Sequence, residues 1–129
     1  MSRYVVDSFA WVEYLAATPI GAKVREVVDD EANEIFTSAL SVSEIVSRAD
    51  RDGRDGRRMA SLVEGASVIV PMDFTLAVST GAIHADARRR IRDFPYGDAA
   101  LLATAKRLRA RVLSGDPHFR GMENVDFLA

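Results

Sequence analysis

The sequence predicts an α/β fold of three layers, with helices on both faces of a central, mostly parallel sheet of four to five strands. Two patterns predict it. Short β-type runs alternate with pairs of helical stretches, and most of those runs are continuously apolar, as strands buried on both faces are. A third observation gives the fold a direction: Asp7, Glu44, Asp98 and Asp116 each fall where a strand ends or a helix begins. In open parallel sheets that is the end at which ligand crevices form.

The elements follow in order. Tyr4-Val5-Val6 reads as the first strand, closed by Asp7. A helix begins at about Ser8, with Val12, Leu15 and Ala16 at i, i+3 and i+4. Pro19 opens a second helix over residues 19–31, in which Ile20, Val24, Val27 and Val28 share a face. Residues 34–38, containing Ile35-Phe36-Thr37, are the second strand, and a helix starting near Ser41 groups Val42, Ile45, Val46 and Ala49. Residues 50–58 form a polar, glycine-containing exposed loop. It is no domain boundary, because neither side is long enough to stand alone.

A short helix over 59–64 leads to a strand at 67–70, stopped by Pro71. Asp73 caps a helix that runs through Leu76, Ala77 and Ile83 to Arg88-Arg89-Arg90. Phe94-Pro95-Tyr96-Gly97 breaks the chain before its most strongly helical stretch, residues 98–110. Residues 111–113 are the fourth strand, and 125–128 add a short one at the edge. The order is βααβααβααβ plus that late strand, in a single domain spanning residues 1–129, with no internal repeat.

Composition narrows the classes. At 129 residues, 48% hydrophobic and 28% charged, the chain is that of a soluble globular protein. The absence of cysteine excludes both a disulfide framework and a thiolate metal site. No apolar run is long enough to span a bilayer, and the first residues meet an acid at position 7 rather than a signal-peptide core, so a cytoplasmic location is expected. A net charge of −2 argues against nucleic acid, yet if the four acids serve a cation the remaining surface is net positive by two. Of the 17 basic residues 15 are arginine. Two clusters, Arg51, Arg54, Arg57 and Arg58, and Arg88, Arg89, Arg90 and Arg92, are candidates for phosphate contacts, or else a solvated face.

Each acid also has a structural reading. Asp98 lies on the same helical stripe as Leu101, Leu102 and Ala105, so it faces the core, where a carboxylate is costly unless something positive compensates it; a macrodipole role would suit a solvent-facing acid better. Asp7 caps the first helix unless Ser8 does. Glu44 fits position N3 of a capping box opened by Ser41, and could pair with Arg48. Gly115-Asp116-Pro117 is ordinary turn chemistry. What favours function is the joint placement of all four at one end of one sheet. Oxygen ligands of this kind suit Mg²⁺ or Mn²⁺ and point to phosphodiester hydrolysis by a metal-activated water. His84 and His118 are isolated in sequence and receive no catalytic role. No dinucleotide fingerprint or P-loop is present, and the second acid of a haloacid-type phosphatase is missing, because Phe9 stands in its place.

Four segments together resemble the PIN domain, the ribonuclease fold of VapC-type toxins. They are Tyr4-Val5-Val6-Asp7-Ser8, residues 37–44 ending in Glu44, residues 96–105 carrying Gly97-Asp98-Ala99, and residues 112–119 carrying Ser114-Gly115-Asp116. The resemblance runs from residue 3 to about 128. It implies an endoribonuclease dependent on Mg²⁺ or Mn²⁺, with Asp7, Glu44, Asp98 and Asp116 as metal-holding catalytic residues and Ser8 and Ser114 in support. It also implies RNA as substrate, a homodimer and a cognate antitoxin protein. The competing expectation is a catalytically silent PIN-like module that binds RNA or protein. For a partner surface the sequence adds one hint: a short first helix carrying Phe9, Trp11, Val12, Tyr14 and Leu15 cannot turn all five toward one core.

Overall fold

The computed structural model describes residues 2–128. Its core is a five-stranded sheet in the order β3-β2-β1-β4-β5, with every neighbouring pair parallel. The strands are β1 (Ser2–Val6), β2 (Asn33–Ser38), β3 (Val68–Val70), β4 (Arg111–Ser114) and β5 (Val125–Phe127). Helix pairs connect the first four: α1 (Ser8–Leu15) with α2 (Pro19–Val28), α3 (Ala39–Arg51) with α4 (Gly56–Ala66), and α5 (Phe74–Arg88) with α6 (Tyr96–Leu108). A 3₁₀ turn at Pro117–Phe119 precedes β5. The expected order is thus met, and the sheet is wholly parallel. Among the described residues no helix is long and apolar enough to cross a membrane.

The two-residue period of the strands sorts their apolar side chains between the layers. Val5 and Val112 face α6 and pack with Phe94, Leu101, Ala105 and Phe119. Val6 and Leu113, one residue on, face the other way and pack with Trp11, Val24, Ile45 and Val63 from α1–α4. Helix α6 is buried along most of its length, and its Ala99, Ala100, Ala103 and Ala105 let sheet and helix come close.

Several boundaries differ from the sequence reading, among them α6, which runs from Tyr96 to Leu108 rather than over 98–110. Helix α2 stops at Val28, where Asp29 caps it. Helix α3 starts at Ala39 with Ser38 as its cap, Ser38 Oγ accepting from Leu40 N at 3.3 Å. The polar stretch 50–58 is mostly helical: α3 extends to Arg51, and Asp55 caps α4 by accepting from Arg58 N at 3.1 Å. Only the residues between them form a loop. Good capping residues at both ends let the helices invade a segment whose composition reads as loop.

The aromatic face of α1 is resolved within the chain at Trp11, which is fully buried. Its Nε1–H donates to Thr37 Oγ1 at 3.0 Å, and Thr37 in turn meets Ser67 Oγ at 2.7 Å. Ser67 already donates to Val63 O at 2.8 Å, so the Thr37 hydroxyl is the donor in that contact. One hydrogen-bonded chain therefore links α1, β2 and α4. Phe9 packs on Gly115, where an added Cβ would lie 2.5 Å from its ring.

The α1–α2 hairpin closes at Gly21, where a Cβ would stand 2.0 Å from the Glu13 carbonyl oxygen. Gly21→Ala is expected to force the helices apart and to lower stability by about 1–3 kcal/mol in urea unfolding. Gly81, inside α5 with nothing near its Cβ direction, is the control. Gly81→Ala should be stabilising by roughly 0.5–1 kcal/mol.

Candidate active site

The chain runs outward from β1 through β2 to β3, then returns to lay β4 on the other side of β1. The strand order therefore reverses between β1 and β4, and a crevice opens outside their carboxyl ends. Asp7 follows β1 directly. Its backbone N–H donates to Leu113 O at 3.2 Å, extending the β1–β4 ladder by one residue. Because Val6 pairs with Leu113, the residue next in register to Asp7 is Ser114. Ser114 Oγ donates to Asp7 Oδ2 and accepts from Asp116 N at 3.0 Å, so one hydroxyl ties together the acids that follow the two strands.

The other two acids come from helices. Asp98 sits in the first turn of α6 and is 8% exposed. Glu44 lies in the second turn of α3, and its carboxyl presses against Gly97: a Cβ there would be 2.5 Å from Glu44 Oε2. Glycine at 97 is what admits Glu44 beside Asp98. Although Glu44 is otherwise exposed, this tip is partly desolvated and receives the Ser8 hydroxyl.

The structural readings can now be settled. Asp7 does cap α1, its Oδ1 accepting from Ala10 N at 2.7 Å, while Oδ2 remains for Ser114. Asp116 also caps, accepting from His118 N at 2.9 Å at the 3₁₀ turn. The Ser41–Glu44 capping box does not form, because the helix begins earlier and Ser41 is buried inside its first turn. Arg48 pairs with Asp52 at 3.9 Å rather than with Glu44.

Electrostatics confirm the crowding. Burial, chiefly, raises the Asp7 carboxyl from 3.8 to about 7; Asp116 and Glu44 push it further up, against the hydrogen bonds from Ser114 and Ala10. Burial also raises Asp98 to about 8, followed by the neighbouring charges of Asp116, Asp7 and Glu44. Glu44 is raised by burial and by Asp116, while Ser8 opposes the shift. Among the described residues no arginine ion pair reaches any of the four.

The sequence reading missed His118. Its Nδ1 lies 2.8 Å from Asp116 Oδ1 and 3.2 Å from Asp98 Oδ2, at the mouth of the same crevice. Only its position two residues after Asp116 could have signalled this. His84, by contrast, is structural: its Nε2 meets Phe94 O at 2.9 Å, and its ring stacks on Tyr96 at 3.8 Å, anchoring the segment that leads into α6.

The eight clustered arginines are all exposed. Arg51 borders a hollow that also contains Ser8, Ser43, Glu44, Ser47 and Arg48, adjoining the acids. Arg54 and Arg57 line hollows that include none of the four acids. Arg88, Arg89, Arg90 and Arg92 occupy the end of α5 and the connection to α6; Arg90 pairs with Asp86 at 3.0 Å.

The PIN domain family model matches residues 4–125. No curated protein matches the chain in sequence. Solved structures share the fold at low identity. VapBC2 from Rickettsia felis, bound to a promoter DNA fragment, superposes with a TM-score of 0.74 at 11% identity, covering 97% of this chain and 96% of that one. VapC20 from Mycobacterium tuberculosis, a sarcin–ricin loop cleaving toxin, gives 0.74 at 15% identity over 98% and 99% of the two chains. A toxin–antitoxin complex from Klebsiella pneumoniae gives 0.72 at 17% over 98% of each.

The raised carboxyls set a pH dependence. In chelator the folded chain holds protons on Asp7 and Asp98 that the unfolded chain has released, so stability falls as pH rises from about 4 to about 8. Thermal unfolding in EDTA should show this fall, and Asp98→Asn should raise the melting temperature at pH 8 and flatten the profile. A variant that melts lower at pH 8 would mark Asp98 as structural.

Proposed function

The chain belongs to the PIN-domain family, and from that premise we propose that it is a divalent-cation-dependent endoribonuclease, the toxin of a toxin–antitoxin pair acting in the cytoplasm. The observation that carries the reading is the convergence of Asp7, Glu44, Asp98 and Asp116 at the β1–β4 crevice. The donor set fits a hard cation. One oxygen of Asp98 and one of Asp116 lie within 4.8 Å of each other, no arginine ion pair among the described residues reaches any of the four acids, and Asp98 Oδ2 is buried with no hydrogen-bond partner. Such a cation, Mg²⁺ or Mn²⁺, supplies Lewis-acid charge for a scissile phosphate and for the attacking water.

The chain's own residues do the rest. Asp98 and Asp116 hold the cation together with Asp7 and Glu44. Ser114 fixes the Asp7 carboxyl and Ser8 fixes that of Glu44, so neither must be reordered when substrate arrives. Arg51, beside the Glu44 hollow, and the cluster of Arg88, Arg89, Arg90 and Arg92, on the segment entering α6, contact RNA phosphates. A silent module would retain this repulsion without use for it; nothing specific favours that reading.

Two surfaces suit protein partners. A groove of about 200 Å³ between α1, α3 and α4 is lined by Val12, Leu15, Ile45 and Met59, with Arg48 and Arg54 also lining it. Val12 and Leu15 of α1 are half-buried there, and we assign it to an apolar segment of a cognate antitoxin, as the toxin–antitoxin complexes of similar fold suggest. A second copy of the chain is assigned to the β3 edge, where Val68, Met72, Phe74 and Val78 are exposed, Phe74 by 83%.

Purified protein should cleave RNA with Mg²⁺ or Mn²⁺ and lose activity in EDTA, and Asp98→Asn should reduce the rate by roughly 100-fold or more. RNA binding without cleavage under every metal condition would favour the silent module.

Light scattering at micromolar concentration should report a dimer, and Phe74→Glu should give a folded monomer. A wild-type monomer would remove the assignment of the β3 edge.

A further inference from the structure

The residue that sequence reasoning passed over offers a nitrogen where the rest of the site offers oxygen. His118 Nδ1, one oxygen of Asp98 and one of Asp116 all lie within 4.8 Å of one another. Ligands roughly 2.0–2.6 Å from a common ion span separations of that size. Two of the three, Asp98 Oδ2 and His118 Nδ1, are buried atoms with no hydrogen-bond partner. Nδ1 is at ion-pair distance from both carboxylates, yet no hydrogen bond aligns with either. The ring is held there from several sides. Pro117 opens the 3₁₀ turn, the His118 backbone N–H is bound by Asp116 Oδ1 at 2.9 Å, and Phe94 packs edge-on against the imidazole at 5.8 Å.

A neutral imidazole with Nδ1 unprotonated would present three lone-pair donors to a single point, an arrangement that a bound cation satisfies. Resting on the proposed metal site, we propose that His118 Nδ1 is a ligand of the cation held by Asp98 and Asp116, biasing this site toward a first-row transition ion such as Mn²⁺ over Mg²⁺. The bias follows from ligand chemistry. Mg²⁺ takes oxygen donors and gives up its water reluctantly, whereas imidazole nitrogen suits transition ions. The rival arrangement is an imidazolium that neutralises the two acids and is displaced by metal.

The two arrangements predict opposite signs. Purified full-length protein and the His118→Asn variant are titrated with Mn²⁺ and with Mg²⁺ by calorimetry, and electron spin-echo spectroscopy is recorded on the Mn²⁺-loaded wild type. If His118 is a ligand, the wild type shows histidine nitrogen coupling. The variant loses that coupling and binds Mn²⁺ about tenfold or more weakly, with Mg²⁺ affinity barely changed. His84, the second histidine, is engaged with Phe94 and Tyr96, so the coupling has one source. Mn²⁺ binding without nitrogen coupling in the wild type overturns the inference and leaves the metal site standing. So does a variant that binds both ions more tightly, the signature of a displaced imidazolium. A wild type that binds neither ion overturns the metal site itself. The wild-type spectrum needs no variant, so the test survives even if His118→Asn fails to fold.

Discussion

The parallel pairing of β1 with β4 is the constraint on which the rest of the molecule depends. These strands are neighbours in the sheet but lie far apart in sequence, with every helix pair between them. Their register, Val6 opposite Leu113, sets Asp7 beside Ser114 and carries the ladder on to Asp7 N. A slip of one residue would turn Val6 and Leu113 to the wrong layer and break both halves of the core. The same apolar alternation that stabilises the sheet therefore positions two of the four acids. Helices α3 and α6 bring the other two to the same end, and Gly97 lets them approach.

That convergence works against folding. Asp7 and Asp98 are both largely buried, and beside desolvation the charges of Asp116 and Glu44 raise the cost of each. The surrounding chain compensates locally with hydroxyls and backbone N–H groups, from Ser114, Ala10, Ser8 and His118. It does not compensate with arginine, although the chain is rich in it. An arginine between the carboxylates would stabilise the fold and fill the place a cation needs. Rule-breaking of this kind, concentrated at one point in an otherwise consistent structure, is what a functional site looks like.

Elsewhere local and global preferences agree. Asp7, Thr18, Ser38, Asp55 and Asp73 each cap a helix with a side-chain oxygen. Trp11, large and polar at one edge, finds a buried partner in Thr37. Of the apolar surface that remains uncovered, the α1–α3–α4 groove lies on one layer, and the exposed Phe74 and Val78 lie a turn apart on α5, beside the edge strand β3.

The sequence by itself determined the class of fold and the order of elements, because both rest on short-range periodicity: paired helical stripes between apolar strands, punctuated by Pro19, Pro71 and Asp73. It also singled out Asp98, since an acid on the apolar stripe of its own helix is a contradiction visible in a single turn. Element ends were less legible. Residues 50–58 look like loop, yet Asp55 starts a helix there, and Ser38 outcompetes Ser41 as a cap once β2 has fixed where the chain leaves the sheet. Only the tertiary structure decided the rest. Whether Asp7 caps or turns to the crevice has no local answer; one oxygen caps α1 and the other meets Ser114 at the end of β4. His118 looked isolated because its partner Asp98 lies on another helix. Long-range register, layer assignment and the meeting of side chains across elements are set by burial of the whole core, and no window of sequence contains them.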